Sequence, residues 1–190
     1  MSAGTRYSPV QMLAFCIGIA FIAFQAWLLF APQQPLVERP IHLVFALVLL
    51  FLYRPLRTPK LPSWLRITLD GALIATAIGV LSYYLLGFER LTTRMENVSP
   101  IFTIDIVMGA ALVFLLLEGA RRAVGWILVW VILAFIAYAF WGNLLPGWLN
   151  FRGFGLEAAT EITTMTTAGV LGITTSTSVS FIFYFILFGA

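Results

Sequence analysis

The chain has 190 residues, of which 61% are hydrophobic and only 10% charged, and its formal net charge is +3. Water-soluble domains carry about 25% charged residues, so this composition excludes a soluble enzyme, a nucleic-acid-binding module and a disordered linker. The single cysteine, Cys16, excludes an internal disulfide, and the single histidine, His42, argues against a histidine-based zinc site. We therefore expect an integral membrane protein.

Five apolar stretches predict membrane-spanning helices, because a helix needs roughly 20 mostly apolar residues to cross a bilayer. They cover residues 10–31, 41–53, 68–88, 101–117 and 123–141. The second stretch is short, so it must recruit flanking residues, thin the bilayer or pack inside a bundle. Proline ends helices, and we expect three prolines to frame the outer loop before this stretch: Pro32, Pro35 and Pro40.

The placement of lysine and arginine predicts that the N-terminus is cytoplasmic. In that orientation the inner segments carry seven basic residues, namely Arg6, Arg54, Arg57, Lys60, Arg66, Arg121 and Arg122. The outer segments carry four, namely Arg39, Arg90, Arg94 and Arg152. An excess of basic residues on the inside is the usual arrangement in membrane proteins.

The character of the chain changes after residue 150. Glu157 and Glu161 are four residues apart, so they share a helix face, and we expect them to face water or lipid headgroups on a short interfacial helix over 155–167. Eleven of the 21 residues from 160 to 180 are Thr or Ser, which indicates either a broken helix that lines a cavity or a polar turn between two helices. The apolar run that closes the chain is too short to cross alone, although its helix could start near Thr175. The predicted fold class is all-α, a polytopic membrane helix bundle with about five full transmembrane helices, an interfacial helix and an incomplete sixth.

Three acidic residues lie at the ends of predicted spans. Asp70 and Asp105 come at the start of the third and fourth spans, where a carboxylate gains from the helix dipole; we prefer a capping or interfacial role to a transport role. Glu118 closes the fourth span, and Arg121 and Arg122 follow three and four residues later, at ion-pair spacing. We expect this structural ion pair to organise a helical hairpin rather than to form part of an ion pathway.

His42 lies just inside the outer end of the second span. We prefer an interfacial or inter-helix hydrogen-bonding role for its imidazole, with a proton relay as the alternative. The chain contains no GxSxG, HExxH or GxxxxGK motif, and these are the signatures of serine hydrolases, zinc proteases and nucleotide-binding loops. We therefore expect no enzyme activity, no catalytic residue and no bound metal.

Several segments, taken in their order and spacing, resemble the fused permeases of tripartite ATP-independent periplasmic (TRAP) transporters, especially the branch served by TAXI-type binding proteins. The matching segments are RPIHLVFA at 39–46, Trp64, Asp70, DIVMG at 105–109, LLLEGARR at 115–122, PG at 146–147, GVLG at 169–172, and VS to LFGA over 179–190. The resemblance covers most of the chain from residue 39 onward.

This resemblance implies a division of the chain into a Q-like membrane scaffold with a connecting helix, residues 1–150, and the beginning of a truncated M-like transport domain, residues 151–190. In such permeases the M-type region carries the sodium and substrate sites and moves as an elevator, while a soluble periplasmic protein delivers an organic acid. The nearest candidates for a substrate or ion path are Thr174, Thr175, Ser176, Thr177 and Ser178.

The resemblance also implies a function and partners. The chain is expected to be a permease component of a secondary, ion-coupled transporter for organic acids, supplying mainly the scaffold, in the inner membrane of a bacterial or archaeal cell. Its expected partners are a TAXI-type solute-binding protein, the remaining M-type region and the lipid bilayer, with sodium as the coupling ion and with no other cofactor and no nucleic acid. The alternative is a stand-alone membrane interaction or assembly protein without transport activity.

Overall fold

The computed structural model describes residues 9–56 and 61–189, and this part of the chain is helical without a strand. In chain order the helices are α1 (Pro9–Phe30), α2 (Pro35–Tyr53), α3 (Ser63–Leu86), α4 (Phe88–Thr93), α5 (Thr103–Ala123), α6 (Trp126–Trp141), α7 (Leu156–Thr160), α8 (Ile173–Thr177) and α9 (Phe183–Gly189). Five segments are long and apolar enough to cross a membrane: α1, α2, α3, α5, and α6 together with the short turn that follows it (Trp126–Leu144). The predicted all-α polytopic bundle is confirmed.

Helix α2 begins earlier than its apolar run predicts. It starts at Pro35 and includes Pro40. Pro35 therefore bounds the preceding loop as expected, whereas the expectation that Pro40 also frames that loop is wrong. Proline is tolerated in a first helical turn, where the missing N–H has no partner in any case; at Pro40 the cost is one lost backbone hydrogen bond near the helix end. With 19 residues, α2 is about 28 Å long, close to the roughly 30 Å of the hydrocarbon core.

The core of the bundle forms around α2, which packs against α1, α3 and α5. Its buried side chains are Val44, Leu47, Val48 and Phe51 from α2, Ala77, Val80 and Tyr84 from α3, Leu91 from α4, Leu112 and Leu115 from α5, and Met165 and Leu171 from the end of the chain. Helix α5 comes close to α2 at Gly119, where an added Cβ would lie 3.0 Å from Leu47 Cδ2. By contrast, α6 buries only Val129 and lies at the edge of the bundle.

Residues 156–189, called the tail below, return to the bundle. Helix α7 continues into a π-helical turn, Glu161–Met165, and residues 166–172 then lead to the tail helix, Ile173–Gly189. The tail helix contains α8, a second π turn (Ser178–Ile182) and α9. At 17 residues it is about 26 Å long. Three of the basic residues used to predict the orientation lie outside the described residues, namely Arg6, Arg57 and Lys60. The same is true of Ala190.

Candidate functional site

An open cavity of about 410 Å³ lies between α2, α5 and the tail. Its lining consists of His42, Leu43 and Ala46 from α2, Leu116 from α5, and Gly169, Val170, Thr174, Thr175 and Ser178 from the tail. The polar part of this lining is one imidazole and three hydroxyl groups. Such groups hydrogen-bond readily to water or to a polar organic solute, whereas they offer a metal cation no carboxylate ligand.

His42 connects three elements at the wall of this cavity. Its Nε2 lies 3.1 Å from Ser178 Oγ in the tail, and its Nδ1 contacts the side-chain amide of Gln25 in α1. Phe21 of α1 packs edge-on against the ring, with 5.0 Å between centroids. Both His42 and Gln25 are buried. A neutral imidazole donates through one nitrogen and accepts through the other, so a single side chain can hold α1 and the tail on α2, as the preferred inter-helix role requires.

Arg39 attaches the beginning of the tail helix to α2. Its Nη1 donates to the carbonyl oxygen of Leu171 at 2.6 Å, and its Nη2 donates to Ser176 Oγ at 3.2 Å. From the sequence, Arg39 is counted only among the basic residues of the outer segments, and its hydrogen bonds to the tail are not predicted. The available signal is its spacing from His42, because residues three apart lie on the same side of a helix.

The five hydroxyl residues predicted to line a solute path do not all reach the cavity. Thr174, Thr175 and Ser178 line it. Ser176 bonds instead to the guanidinium described above, and Thr177 is exposed and outside the lining. All five lie in α8 or at the start of the following π turn, so this segment is a helix, and the alternative of a polar turn is wrong for it. The turn is formed by residues 166–172.

A buried ion pair fixes the beginning of the tail to the loop after α4. Arg94 Nη1 lies 3.0 Å from Glu161 Oε1, and the two side chains are 6% and 4% exposed. The same carboxylate oxygen accepts the backbone N–H of Asn97 at 3.1 Å. The expectation that Glu161 faces water or headgroups is therefore wrong, because the loop after α4 covers it, whereas Glu157 is exposed.

Asp105 is the centre of a polar cluster at the N-terminal end of α5. Its carboxylate accepts the backbone N–H of Phe102 at 3.0 Å, which caps the helix N-terminus. Arg90 donates to both carboxylate oxygens, at 2.6 and 2.9 Å, and Tyr83 donates its hydroxyl at 2.6 Å. These hydrogen bonds from the guanidinium raise the pKa of Arg90 further above its ordinary value. The carboxylate is therefore neutralised and held in place, which agrees with the capping interpretation.

Of the two roles preferred for Asp70, capping and an interfacial position, the structure contradicts the first. Asp70 lies in the second turn of α3, which begins at Ser63, so it does not cap the helix. Its carboxylate pairs with Arg122 of α5 at 2.7 Å and accepts the backbone N–H of Leu56 at 3.1 Å. Asp70 therefore joins α3 to α5 and to the chain that leaves α2.

Glu118, Arg121 and Arg122 lie together at the C-terminal end of α5. The Glu118 carboxylate accepts hydrogen bonds from Arg121 at 2.6 and 2.7 Å and from Arg122 at 2.7 Å. Arg122 also lies over the ring of Phe51, 4.9 Å from its centroid, and donates to the carbonyl of Arg54 at 3.1 Å. The three residues thus form an ion-paired cluster that reaches α2, and its importance for assembly stays a prediction.

The described residues, 9–56 and 61–189, contain no group of three His, Cys, Asp or Glu side chains placed to hold a metal ion. The chain has no match among family models, curated proteins or solved structures. Function is therefore inferred from the geometry of the cavity and of the contacts that hold the tail.

Proposed function

We propose that this chain is a permease component of a TRAP-type transporter, a secondary, ion-coupled transporter for organic acids. In this proposal α1 to α6 supply a membrane scaffold, and the tail is the beginning of a transport domain. The proposal places the chain in the inner membrane of a bacterial or archaeal cell. Its partners are an M-type permease region and a TAXI-type periplasmic solute-binding protein, with sodium as the coupling ion.

The observation that carries this proposal is the contrast between the scaffold and the tail. The scaffold helices meet in an aliphatic core, and three of their acids, Asp70, Asp105 and Glu118, are each neutralised by arginine. The tail is instead rich in hydroxyl groups, contains two π turns and faces a cavity. Broken helices with free backbone and hydroxyl groups are the usual elements of solute sites in secondary transporters, and π turns occur often at functional sites.

The two polar contacts on α2 support the same division. His42 and Arg39 lie on neighbouring turns of one helix and bond to Ser178, Ser176 and the Leu171 carbonyl in the tail. A scaffold that positions a solute-binding element needs contacts of this kind between a fixed helix and the segment that it presents.

The proposal is tested by reconstitution. The chain, an M-type region and a TAXI-type binding protein are combined in vesicles, and uptake of radiolabelled organic acids is measured with an inward sodium gradient. We expect uptake that needs all three components and the gradient. Uptake by the 190 residues alone would refute the scaffold role, and an M-type region that neither copurifies with the chain nor transports in its presence would refute the assignment to this class.

Matched variants test whether the cavity contributes to transport. Ser178→Ala removes a hydroxyl that lines the cavity and bonds to His42, whereas Thr177→Ala removes an exposed hydroxyl one residue away. We expect at least a several-fold loss of uptake for the first and little change for the second. Equal uptake by both variants, with equal amounts of folded protein, would show that this cavity is not part of the solute path.

The cytoplasmic N-terminus belongs to the proposal and is tested separately. Fusions of alkaline phosphatase and of a green fluorescent protein to each loop report which side of the membrane the loop occupies. Neutralising the basic residues from the end of α2 to the first turn of α3 should disturb the orientation, because the excess of inner charge depends on them. These residues are Arg54, Arg57, Lys60 and Arg66. Unchanged fusion patterns in that variant would contradict the assigned orientation.

The alternative, a stand-alone assembly protein, is favoured by the outer side of the tail helix. Phe181, Phe185 and Phe188 are all more than half exposed and lie along a single groove. An apolar face of this kind suits packing against another membrane helix. Stable association with an unrelated membrane complex, together with no copurifying M-type region, would favour this alternative over the transporter.

A further inference from the structure

The inner end of the bundle, where α2 and α5 finish and α3 and α6 begin, carries more positive than negative charge. Its described arginines are Arg54, Arg66, Arg121 and Arg122, and its described carboxylates are Asp70 and Glu118. Both carboxylates are already paired: Glu118 with Arg121 and Arg122, and Asp70 with Arg122. Two cationic side chains are left over.

These two side chains are Arg54 and Arg66, and neither has a carboxylate within ion-pair distance among residues 9–56 and 61–189. Arg54 is exposed, and its Nη1 donates only to the carbonyls of Arg122 and Ala123, at 3.2 and 3.4 Å. Arg66 is half-buried, and its Nε is a buried donor with no acceptor. Asp70 lies one turn further along the same face of α3, but it is occupied by Arg122.

The surroundings place both guanidinium groups at the depth of lipid headgroups. Trp64, two residues before Arg66, is 66% exposed, and Trp126 at the start of α6 is 59% exposed. Arg121 stacks on Trp126, with 5.4 Å between the guanidinium carbon and the ring centroid. Exposed tryptophans at the ends of membrane helices are typical of the headgroup region. Both unpaired cations therefore lie where phosphate groups of the bilayer are concentrated.

We infer that Arg54 and Arg66 form a binding site for the phosphate of an anionic phospholipid, with Trp64 at its edge. A phosphodiester supplies acceptor oxygens in the geometry that guanidinium N–H groups fit. The phosphate accepts hydrogen bonds from the Nη groups of the two arginines, which are not buried, and balances the excess charge, and the acyl chains occupy the apolar surface beside α3. This site is independent of the proposed transport function, since it lies at the opposite end of α2 from Arg39.

The test measures which lipids the protein retains. The full chain is purified from membranes with equal phosphatidylcholine and phosphatidylglycerol, and bound lipid is determined by native mass spectrometry. We expect retention of phosphatidylglycerol in preference to phosphatidylcholine. A basic residue near the membrane surface contributes about fivefold to anionic lipid binding, so the double variant Arg54→Gln/Arg66→Gln should bind about 30-fold more weakly. The control is Arg152→Gln, an exposed arginine beyond the other end of α6, which should bind like the unaltered protein.

Four outcomes decide the proposal. Equal retention of phosphatidylglycerol by the double variant and the control would overturn it, and so would displacement of the lipid by inorganic phosphate at matched concentration, since the ligand would then be a free anion. Dimerisation through this end with no bound lipid would assign the surface to a second copy of the chain. If the double variant does not fold, salt titration of the unaltered protein decides, because retention that is insensitive to added salt contradicts a charge-based site.

Discussion

The ion pair between Arg94 and Glu161 provides the sharpest test of how the tail is held. Glu161→Gln keeps an oxygen that can accept the N–H of Asn97 and removes only the negative charge. Arg94 then stays 6% exposed and keeps only neutral oxygen acceptors, the amide oxygen at position 161 and the Ser99 carbonyl at 3.2 Å. The variant thus leaves a buried cation without a counter-charge.

The expected cost follows from the distance and the burial. At 3.0 Å and an effective dielectric constant of about 20, the attraction between the two charges is about 5 to 6 kcal/mol, and desolvation offsets part of it. Removing one partner of a buried pair costs about 3 kcal/mol or slightly more. The double variant Arg94→Met/Glu161→Gln leaves no unpaired charge, so we expect it to lose only about 1 kcal/mol and the two substitutions to be coupled by about 2 kcal/mol or more.

The free energy of unfolding is measured in mixed micelles of increasing dodecyl sulfate content, with helical circular dichroism as the signal. Glu157→Gln is the matched control, because Glu157 is an exposed carboxylate on the same helix and its loss should change stability by less than about 0.5 kcal/mol. If Glu161→Gln costs no more than this control, or if the cycle shows no coupling, the buried pair does not hold the tail.

The remaining predictions concern other contacts and use the same assay. Gly109→Ala places a methyl group 2.6 Å from Thr164 Oγ1 and should destabilise the protein by about 1 to 3 kcal/mol through overpacking. Gly79→Ala, in open space on α3, should be neutral or stabilising by up to about 1 kcal/mol. If Gly79→Ala destabilised the protein more than Gly109→Ala, α5 would not pack tightly on the tail. Asp105→Asn should cost about 1 to 2 kcal/mol, a value reduced from that of a fully buried pair because its partner guanidinium is 37% exposed. The exposed Glu89→Gln is its control, and equal losses would contradict the capping cluster.

The spans could be predicted from the sequence because hydrocarbon imposes its requirement residue by residue. An uncharged apolar run long enough to cross is visible without knowledge of its neighbours. The ends of the helices were less predictable, since the apolar run of α2 stops where Arg39 and Pro40 begin while the helix continues to Pro35. Hydropathy reports the burial of side chains in lipid, whereas a helix continues as long as its backbone hydrogen bonds do.

The contacts of the charged residues were predictable only where both partners lie on one helix. The ion pair of Glu118 with Arg121 follows from a spacing of three residues. Glu161 and its partner Arg94 are 67 positions apart, and Asp70 and Arg122 are 52 apart, so no local pattern connects them. The cavity depends on the same kind of long-range approach, since His42 meets the tail 136 residues later.

Two contacts of the tail helix depend on the number of residues in the second π turn. Ser178, at its first position, bonds to His42, and Tyr184, just beyond it, donates its hydroxyl to the Gln25 carbonyl at 2.7 Å. A π turn takes up one more residue than an α-helical turn over nearly the same rotation, so deleting one residue here would convert it to an ordinary turn and keep both contacts in register. Inserting one residue would instead rotate everything after it by roughly 100°, so that only one contact would persist. In this stretch, natural variation in side chains should be tolerated far better than the insertion of a residue.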